Sequence, residues 1–441
     1  MTDTVLLVGG GGREHAIARA IVDEAGSAPA LYACADNRNP GIDRLADGYD
    51  TFDTTDPAEV TTYAAEVGAE VAVVGPEAPL EAGIVDALED EGVFAFGPRA
   101  DDARIETDKA FQRSFMAEHG IPGCPDFATF DDPEAACAYI DDYDGDLAVK
   151  PTGLTGGKGV RVIGDQVTAE EAKDFIQESA YDSFVLEERL VGEEFTIQAF
   201  VADGDVRVTP AVQDHKRAYE GDEGPNTGGM GSYSAPQLEL PFMEEQEYHD
   251  AVAIIQATIE ALPEYRGILY GQFMLTAEGV KVVEYNARFG DPEAMNTLPV
   301  MNTPLMDVIE AAKDGDRLPQ LSFSPRATVC KYAVPKGYPA SPTAGTKLPV
   351  DDAALDDDSL FFASVDKRDD GIYTTTSRSF AVVGVADSIA AAEREAEQAL
   401  EAVGTEGLDV RHDIGTADLI ETRIEHMASL RGESAAEPDR S

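Results

Sequence analysis

Residues 4–16 read TVLLVGGGGREHA, an apolar strand followed by four glycines and a helix-forming segment. A strand, a glycine turn and a helix in this order present backbone N–H groups to a phosphate. Three more β-rich runs follow before residue 100, separated by helical segments that end at glycine. The pattern predicts an α/β fold with a doubly wound parallel sheet over residues 1–103, and ligands at the carboxyl ends of its strands.

Three loops leave those strand ends and are expected to share one crevice: GGGGRE (9–14), NRNPG (37–41) and GPEAPL (75–80). A nicotinamide-dependent oxidoreductase is one interpretation, because Asp36 ends the second strand where a dinucleotide site places an acid. Glu14 and His15 occupy the region of the third motif glycine, however. Arg13 adds bulk that suits a phosphate monoester better than a dinucleotide.

The pattern changes after this domain. Antiparallel strands interleaved with helices predict an α+β region over 104–325, and a small β-rich domain closed by one helix is expected over 326–430. Residues 431–441 are polar and are expected to form a flexible tail.

Composition restricts the functional classes. The 441 residues include 85 Asp and Glu but only 33 Lys and Arg, a formal charge of −52 that disfavours nucleic acids and anionic membranes as partners. Scarce lysine, abundant acid and no tryptophan are typical of a halophilic acidic surface. The four cysteines form no CxxC pair, and no leader or 20-residue apolar span is evident, so a cytoplasmic protein is expected.

The segment KPTGLTGGKGV (150–160) combines four glycines with two lysines, Lys150 and Lys158. Glycines allow a ligand close to the backbone, and the lysines would neutralise phosphate oxygens. It is not a Walker A loop, because a strand follows and GK[ST] is absent. A glycine-rich hairpin without ligand is the alternative, and Lys109 by itself could be a solvated helix residue.

The segment VVEYNARFGDPE (282–293) predicts a metal site. Glu284 and Asn286 share one strand face, and a three-residue AEG turn that pairs Thr276 with Val280 would set Gln272 opposite Glu284. Three oxygen ligands suit Mg²⁺. An exposed polar face is the alternative.

QDHKRAYEGDEGPNTGGMG (213–231) is interpreted as a long loop that offers Asp214, His215, Lys216 and Arg217 to a substrate, or else as a mobile surface loop. Four other histidines lack ligand spacing and are expected at the surface: His119, His249, His412 and His426.

Together these segments resemble the ATP-grasp superfamily and, within it, the glycinamide ribonucleotide synthetase (phosphoribosylamine–glycine ligase) family, over nearly the whole chain. QDHKR, GPNTGGMG and RFGDPE in this order are its most specific signal. The resemblance implies a doubly wound N-terminal domain, a two-part ATP-grasp module with a small lobe at about 120–190, and a C-terminal domain. It also implies ATP-dependent ligation of glycine to 5-phosphoribosylamine through glycyl phosphate, with Mg²⁺ or Mn²⁺, by a monomer.

Site residues follow from the resemblance. For ATP they are Lys109, Lys150, Gly156, Gly157, Lys158, Glu187, Glu188, Leu190 and Glu194. Metal ligands are Gln272, Glu284 and Asn286, and catalytic residues are Arg288, Asp214 and Lys216. Substrate contacts are Gly11, Gly12, Arg13, Glu77, Pro79, Asp214, Thr227, Gly228, Gly229, Met230, Arg288 and Asp291.

The chain departs from that family at Pro151-Thr152, at Thr155-Gly156 and after DPE, where glutamine is expected. Three alternatives stay open: another ATP-grasp carboxylate–amine ligase, the oxidoreductase, and a non-catalytic ATP sensor.

Overall fold

The computed structural model describes residues 4–22, 29–153, 159–350 and 359–432. Its N-terminal sheet is fully parallel, in the order β3-β2-β1-β4-β5. The strands are β1 (Thr4–Val8), β2 (Ala30–Ala35), β3 (Gly48–Thr51), β4 (Val71–Val74) and β5 (Phe94–Phe96). The helices are α1 (Gly12–Val22), α2 (Pro40–Leu45), α3 (Pro57–Val67), α4 (Glu77–Glu81), α5 (Ile84–Asp90), α6 (Ala100–Thr107) and α7 (Lys109–His119). The predicted doubly wound domain is confirmed.

A small lobe with its own apolar core follows. Its antiparallel sheet has the order β6-β9-β7-β8, and two helices pack on it. The elements are β6 (Phe127–Phe130), α8 (Pro133–Asp142), β7 (Leu147–Pro151), β8 (Arg161–Val162), α9 (Ala169–Glu178) and β9 (Phe184–Glu188). This is the architecture expected of the smaller part of an ATP-grasp module, while the exact domain boundaries stay predictions.

A ten-stranded sheet dominates the rest of the chain, with the main order β17-β16-β10-β12-β15-β18-β22-β19. Its strands are β10 (Gly192–Ala202), β11 (Asp205–Val208), β12 (Val212–Asp214), β15 (Gly231–Ser234), β16 (Gly267–Thr276), β17 (Gly279–Asn286), β18 (Ala327–Pro335), β19 (Leu360–Phe362), β22 (Phe380–Ala386) and β23 (Leu408–Val410). Two separate hairpins are β13 (Arg217–Tyr219) with β14 (Glu223–Asn226), and β20 (Val365–Arg368) with β21 (Gly371–Thr374). Helices are α10 (Glu245–Ala261), α11 (Glu293–Thr297), α12 (Leu305–Asp314), α13 (Ile389–Val403) and α14 (Ala417–Leu430), with a 3-10 turn at Leu298–Val300.

The C-terminal region differs from the expectation in two ways. Strand β18 pairs with β15, so β18, β19, β22 and β23 belong to the same ten-stranded sheet as the ATP-grasp strands, whereas β20 and β21 form a separate hairpin. Two helices, α13 and α14, accompany them where one was expected. Of the predicted tail (431–441), residues 433–441 lie outside the described residues. No helix among the described residues is long and apolar enough to cross a membrane.

The interpretation of 213–231 as a long loop was wrong. The segment starts in β12, forms the β13–β14 hairpin and enters β15, with Arg217 paired to Asn226. The sequence did not predict these short strands because they are rich in charged residues and glycines. A two-stranded ribbon can form without the alternation of apolar residues by which strands are recognised.

The β16–β17 register was correct at the site although its predicted turn was wrong. Thr276 pairs with Gly279, not with Val280. A bulge in the register next to Gln272 then shifts the pairing by one residue, so that Gln272 does oppose Glu284. Bulges of this kind re-aim side chains near active sites.

Candidate active site

Two cavities adjoin between the N-terminal domain and the large sheet. The larger has a volume of about 730 Å³ and extends from the small lobe to the β13–β14 hairpin. The smaller, of about 210 Å³, lies at the carboxyl ends of the N-terminal strands. Arg13, Glu77 and Asp291 line both cavities, so the two spaces meet at these side chains.

The three loops that were expected to share a crevice all line the smaller cavity. Its walls include Gly9–Gly11 after β1, Asp36 and Asn37 after β2, and Pro76 after β4. Because β1 pairs in parallel with β2 and β4, these loops leave the same edge of the sheet. Ser364 adds a wall from the C-terminal region.

Within the glycine loop, Gly11 and Gly12 have different environments. Gly11 lines the smaller cavity, and its N–H donates to Glu14 Oε2 at 2.7 Å. A Cβ on Gly12 would lie 2.5 Å from the Tyr332 hydroxyl, so Gly12 permits close packing of α1 against β18. Arg13 Nε donates to Glu14 Oε1 at 2.5 Å, which holds the guanidinium at the junction of the cavities.

Two predicted lysines converge on the larger cavity. Lys109, at the start of α7, donates to the Gly153 carbonyl at 2.9 Å, and the buried Lys150 of β7 donates to Glu187 Oε2 at 2.7 Å. Arg113 binds the same carboxylate through Nε and Nη2. Burial opposes ionisation of Glu187, but Arg113 and Lys150 outweigh it and lower its pKa. The Glu187 side chain thus orients Lys150.

The segment from β9 to β10 forms another wall of the larger cavity, and Glu188, Leu190 and Glu194 line it. Glu188 Oε1 accepts the Asp126 N–H at 3.0 Å, on the small lobe. Glu194 Oε2 accepts from Gln272 Nε2 at 2.6 Å. This arrangement leaves the backbone near Leu190 beside the cavity, as a nucleotide hinge requires.

Helix α14 also reaches the larger cavity, where Arg423 and His426 line it. The sequence patterns did not predict this contact. His426 Nδ1 lies 2.6 Å from Glu193 Oε1, and Arg423 Nε lies 3.3 Å from Glu193 Oε2. Arg423 also pairs with Asp222 in the β13–β14 turn. The expectation of a purely surface role for His426 is therefore incomplete. No sequence spacing relates α14 to β10, over 200 residues earlier.

The predicted metal ligands face the larger cavity together. Burial opposes ionisation of Glu284, but Lys216, Lys109 and Lys150 outweigh it and hold its pKa at about 2. Lys216 Nζ lies 2.5 Å from Gln272 Oε1 and 3.6 Å from Glu284 Oε1. One ionised carboxylate with two amide oxygens fits a hard divalent cation. Among the described residues no group of three His, Cys, Asp or Glu side chains forms a metal site.

Arg288 connects the metal ligands to the N-terminal domain. Its Nη2 lies 3.0 Å from Glu106 Oε1 and 3.2 Å from Asn286 Oδ1, and its Nε lies 3.5 Å from Glu77 Oε2. Burial opposes ionisation of Glu77, yet Arg288 and Arg13 hold its pKa at about 2. Burial raises the pKa of Glu106 to about 7. Arg288 is therefore a fixed cation in the larger cavity, next to Glu77, which lines both cavities.

Asp214 is a partly buried carboxyl without a complete set of partners. Its Oδ1 accepts no hydrogen bond from any described residue. Burial first, and Glu293 second, raise its pKa well above the usual value, while Lys216 opposes the shift. Glu293 is itself buried and accepts the Tyr270 hydroxyl at 2.8 Å. Two such carboxyls beside a cavity would be stabilised by a cationic ligand.

The NTGGMG turn holds an arginine from the C-terminal region. Thr227 Oγ1 accepts the Gly229 N–H at 3.0 Å, and Arg378 Nη1 donates to the Gly228 and Gly229 carbonyls at 2.8 and 3.0 Å. Met230 is buried beneath them. Of this turn, Asn226, Thr227 and Gly228 line the larger cavity, so they are the members placed to touch a ligand.

The remaining predicted residues fall into two groups. Pro79 is buried in α4 and lines neither of the two cavities. The predicted phosphate cover lies outside the described residues: Gly156, Gly157 and Lys158.

A doubly wound domain and a two-lobed antiparallel module around a cavity lined by lysines define the chain as an ATP-grasp protein. Family profiles for phosphoribosylglycinamide synthetase match the N domain at residues 3–106, the ATP-grasp (A) domain at 107–294 and the C domain at 328–417. The chain belongs to the phosphoribosylglycinamide synthetase (phosphoribosylamine–glycine ligase) family.

Proteins of similar sequence belong to the same family as these profiles. A phosphoribosylamine–glycine ligase of Methanocella arvoryzae is 49% identical over 437 residues, which cover 97% of this chain and 100% of that protein. One of Methanosarcina barkeri is 50% identical with the same coverage.

Solved structures share the fold. The crystal structure of the phosphoribosylamine–glycine ligase of Thermotoga maritima superposes with a TM-score of 0.78 at 25% identity, covering 93% of this chain and 99% of that one. The biotin carboxylase domain of a Hydrogenobacter thermophilus 2-oxoglutarate carboxylase, solved with MgADP, has a TM-score of 0.70 at 16% identity, covering 98% and 96%. The latter likeness concerns the fold alone.

Proposed function

We propose that this protein ligates glycine to 5-phosphoribosylamine at the expense of ATP, giving glycinamide ribonucleotide, ADP and phosphate in purine biosynthesis. The observation that carries the proposal is the junction of the two cavities at Arg13, Glu77 and Asp291. One space suits a nucleotide and an amino acid, and the other suits a sugar phosphate. A reaction between their occupants requires this connection.

ATP occupies the larger cavity. Lys109 and Lys150 bind its phosphates, the backbone near Leu190 faces adenine, and Glu194 accepts hydrogen bonds from the ribose hydroxyls. Support comes from the convergence of these side chains on one space. The buried Arg113–Glu187 pair keeps Lys150 directed at the phosphates.

Gln272, Glu284 and Asn286 hold a divalent metal ion, Mg²⁺ or Mn²⁺, which when bound neutralises phosphate charge and favours phosphoryl transfer. The ionised state of Glu284 supports this assignment. Lys216 and Arg288 supply further positive charge next to these oxygens. Such positioned cations stabilise the charge that develops on the transferring phosphoryl group.

Free glycine binds beside Asp214, Lys216 and Glu293. Its ammonium group pairs with the carboxyls of Asp214 and Glu293, and its carboxylate lies towards Lys216 and Arg288. A carboxylate is a poor electrophile, so ATP first converts it to glycyl phosphate. The amine of phosphoribosylamine, held in the smaller cavity near Arg13 and the glycine loop, then attacks the activated carbonyl.

The decisive assay follows ADP formation in high salt with Mg²⁺ while glycine and freshly prepared phosphoribosylamine are added singly and together. Continued ADP formation that requires both substrates supports the ligase. ADP that requires glycine and a different amine favours another ATP-grasp ligase, and NADH turnover without ADP favours an oxidoreductase. The protein is further proposed to act as a monomer in the cytoplasm, which light scattering and cell fractionation would test.

A further inference from the structure

Asp291 lies where the two cavities meet and is only partly covered, with 16% of its side chain exposed. A Cβ on Gly11 would lie 4.0 Å from Asp291 Oδ2, which places this oxygen next to the glycine loop of the smaller cavity. On the other side, a Cβ on Gly229 would lie 3.2 Å from the Asp291 carbonyl and 2.9 Å from Asp214 Oδ1. Asp291 thus lies between the two proposed substrate positions.

Two side chains from the C-terminal region hold this carboxylate. The buried Tyr332 of β18 donates its hydroxyl to Asp291 Oδ1 at 2.7 Å. Arg378 Nη2 lies 3.0 Å from Asp291 Oδ2, and its guanidinium stacks over the Tyr332 ring at 4.4 Å. Each carboxylate oxygen keeps a further lone pair for a ligand.

The proposed ligation needs a group at this place. When a neutral amine attacks an acyl phosphate, its nitrogen becomes positively charged and must lose a proton before a stable amide forms. Glu77 is the other carboxylate shared by the cavities, but the two arginines of the proposed substrate sites, Arg288 and Arg13, both pair with its Oε2 at 3.5 and 3.9 Å. The partners of Asp291, Tyr332 and Arg378, instead come from the C-terminal region.

We infer that Asp291 is the general base of amide formation, accepting the proton that the ribosylamine nitrogen loses, while Tyr332 and Arg378 are positioning residues for its carboxylate. The inference rests on the proposed ligase function. The nitrogen–carbonyl bond forms, the bond from the carbonyl carbon to the phosphate oxygen breaks, phosphate leaves, and one proton passes from nitrogen to Asp291. The C-terminal region thereby orients the proposed base through Tyr332 and Arg378.

The test is a single-turnover experiment on the full chain, with ATP, Mg²⁺, glycine and phosphoribosylamine, in which ADP and glycinamide ribonucleotide are quantified together. Positioned bases contribute about 10²- to 10⁴-fold. Asp291→Asn should therefore slow product formation at least about 100-fold, while ADP forms within about threefold of the native rate and the KM for ATP and for glycine is unchanged. Equal slowing of ADP and product, or no slowing, would overturn the inference.

Tyr332→Phe tests the positioning role and guards against a folding defect in D291N. It should lower the rate of product formation without changing the KM for ATP or glycine, and the D291N/Y332F double variant should be no slower than D291N. Additive losses, or an unchanged rate in Y332F, would contradict the role. Matched controls are Tyr373→Phe and Asp370→Asn, which break the same kind of bond, of 2.8 Å, at an exposed site.

The inference and the proposed function fail differently. A native enzyme that makes no ADP in the presence of both substrates contradicts the ligase itself. A native enzyme that makes glycinamide ribonucleotide, together with a fully active D291N variant, contradicts only the role of Asp291.

Discussion

Arg113 and Glu187 form a bidentate ion pair inside the protein, with Nε–Oε1 and Nη2–Oε2 distances of 2.8 and 2.9 Å and side-chain exposures of 1% and 4%. Removing one partner of a buried pair leaves an uncompensated charge and costs about 3–5 kcal/mol. We expect Glu187→Gln to lower the free energy of unfolding by this amount, measured by denaturant titration in molar salt. The ATP affinity should fall as well, since Lys150 loses the same partner.

The neighbouring residue provides the control. Glu188 pairs with Lys281 at 3.5 Å and is 29% exposed, so Glu188→Gln should cost no more than about 1 kcal/mol. If the two variants lose equal stability, the buried pair has no special role in the structure.

Glu284→Gln tests the metal site. Replacing a ligand should weaken the metal more than the roughly 10- to 100-fold effect of changing an outer-shell partner. We expect the Mg²⁺ concentration for half-maximal ADP formation to rise by at least about 100-fold, and Mn²⁺ binding followed by electron paramagnetic resonance to weaken in parallel. Glu278→Gln, which removes an exposed carboxylate from the turn of the same hairpin, should change neither. Native metal dependence in E284Q would refute the assignment.

His15 makes stability depend on pH. Its Nδ1 accepts the Phe362 N–H at 2.9 Å, and burial first, then Arg19, lower its pKa well below 6.5. The unfolded chain takes up a proton below about pH 6.5 that the folded chain does not, so the free energy of unfolding falls as the pH decreases, by about 1.4 kcal/mol per unit.

His15→Asn keeps an acceptor for Phe362 and should reduce this slope by that amount, as measured by urea unfolding between about pH 6.5 and 5. His249→Asn, at an exposed position of α10, is the control for loss of one histidine. An identical slope in native protein and H15N would show that His15 is protonated in the folded state.

The net charge of −52 predicts salt-dependent folding. Self-repulsion of like charges destabilises a compact state, and the screening length falls from about 10 Å at 0.1 M salt to about 3 Å at 1 M. We expect circular dichroism to show unfolding in dilute buffer and recovery in molar KCl. Equal melting temperatures at low and high salt would contradict the halophilic interpretation.

Local sequence patterns were sufficient for much of the fold and part of the site. The strand–glycine–helix start predicts the parallel sheet, and period two along β17 places Glu284 and Asn286 on one face. These inferences succeed because they depend on neighbours in the chain.

Contacts between distant segments could not be predicted in this way. Tyr332 and Arg378 meet Asp291 only because β18 pairs with β15, which joins the C-terminal strands to the ATP-grasp sheet. The β16–β17 bulge could not be predicted from the sequence either, because a one-residue shift in register depends on packing across the sheet. The one available signal for Arg378 was a lone arginine among small polar residues at 374–379.

The most direct test of the account follows labelled glycine into product together with ADP. With ATP, Mg²⁺, glycine and phosphoribosylamine in molar KCl, we predict one glycinamide ribonucleotide and one phosphate for each ADP, and no ADP beyond a single turnover of the enzyme when either substrate is omitted. Continued ATP turnover in the absence of phosphoribosylamine, or glycine that stays unligated while ATP is consumed, would contradict the ligase.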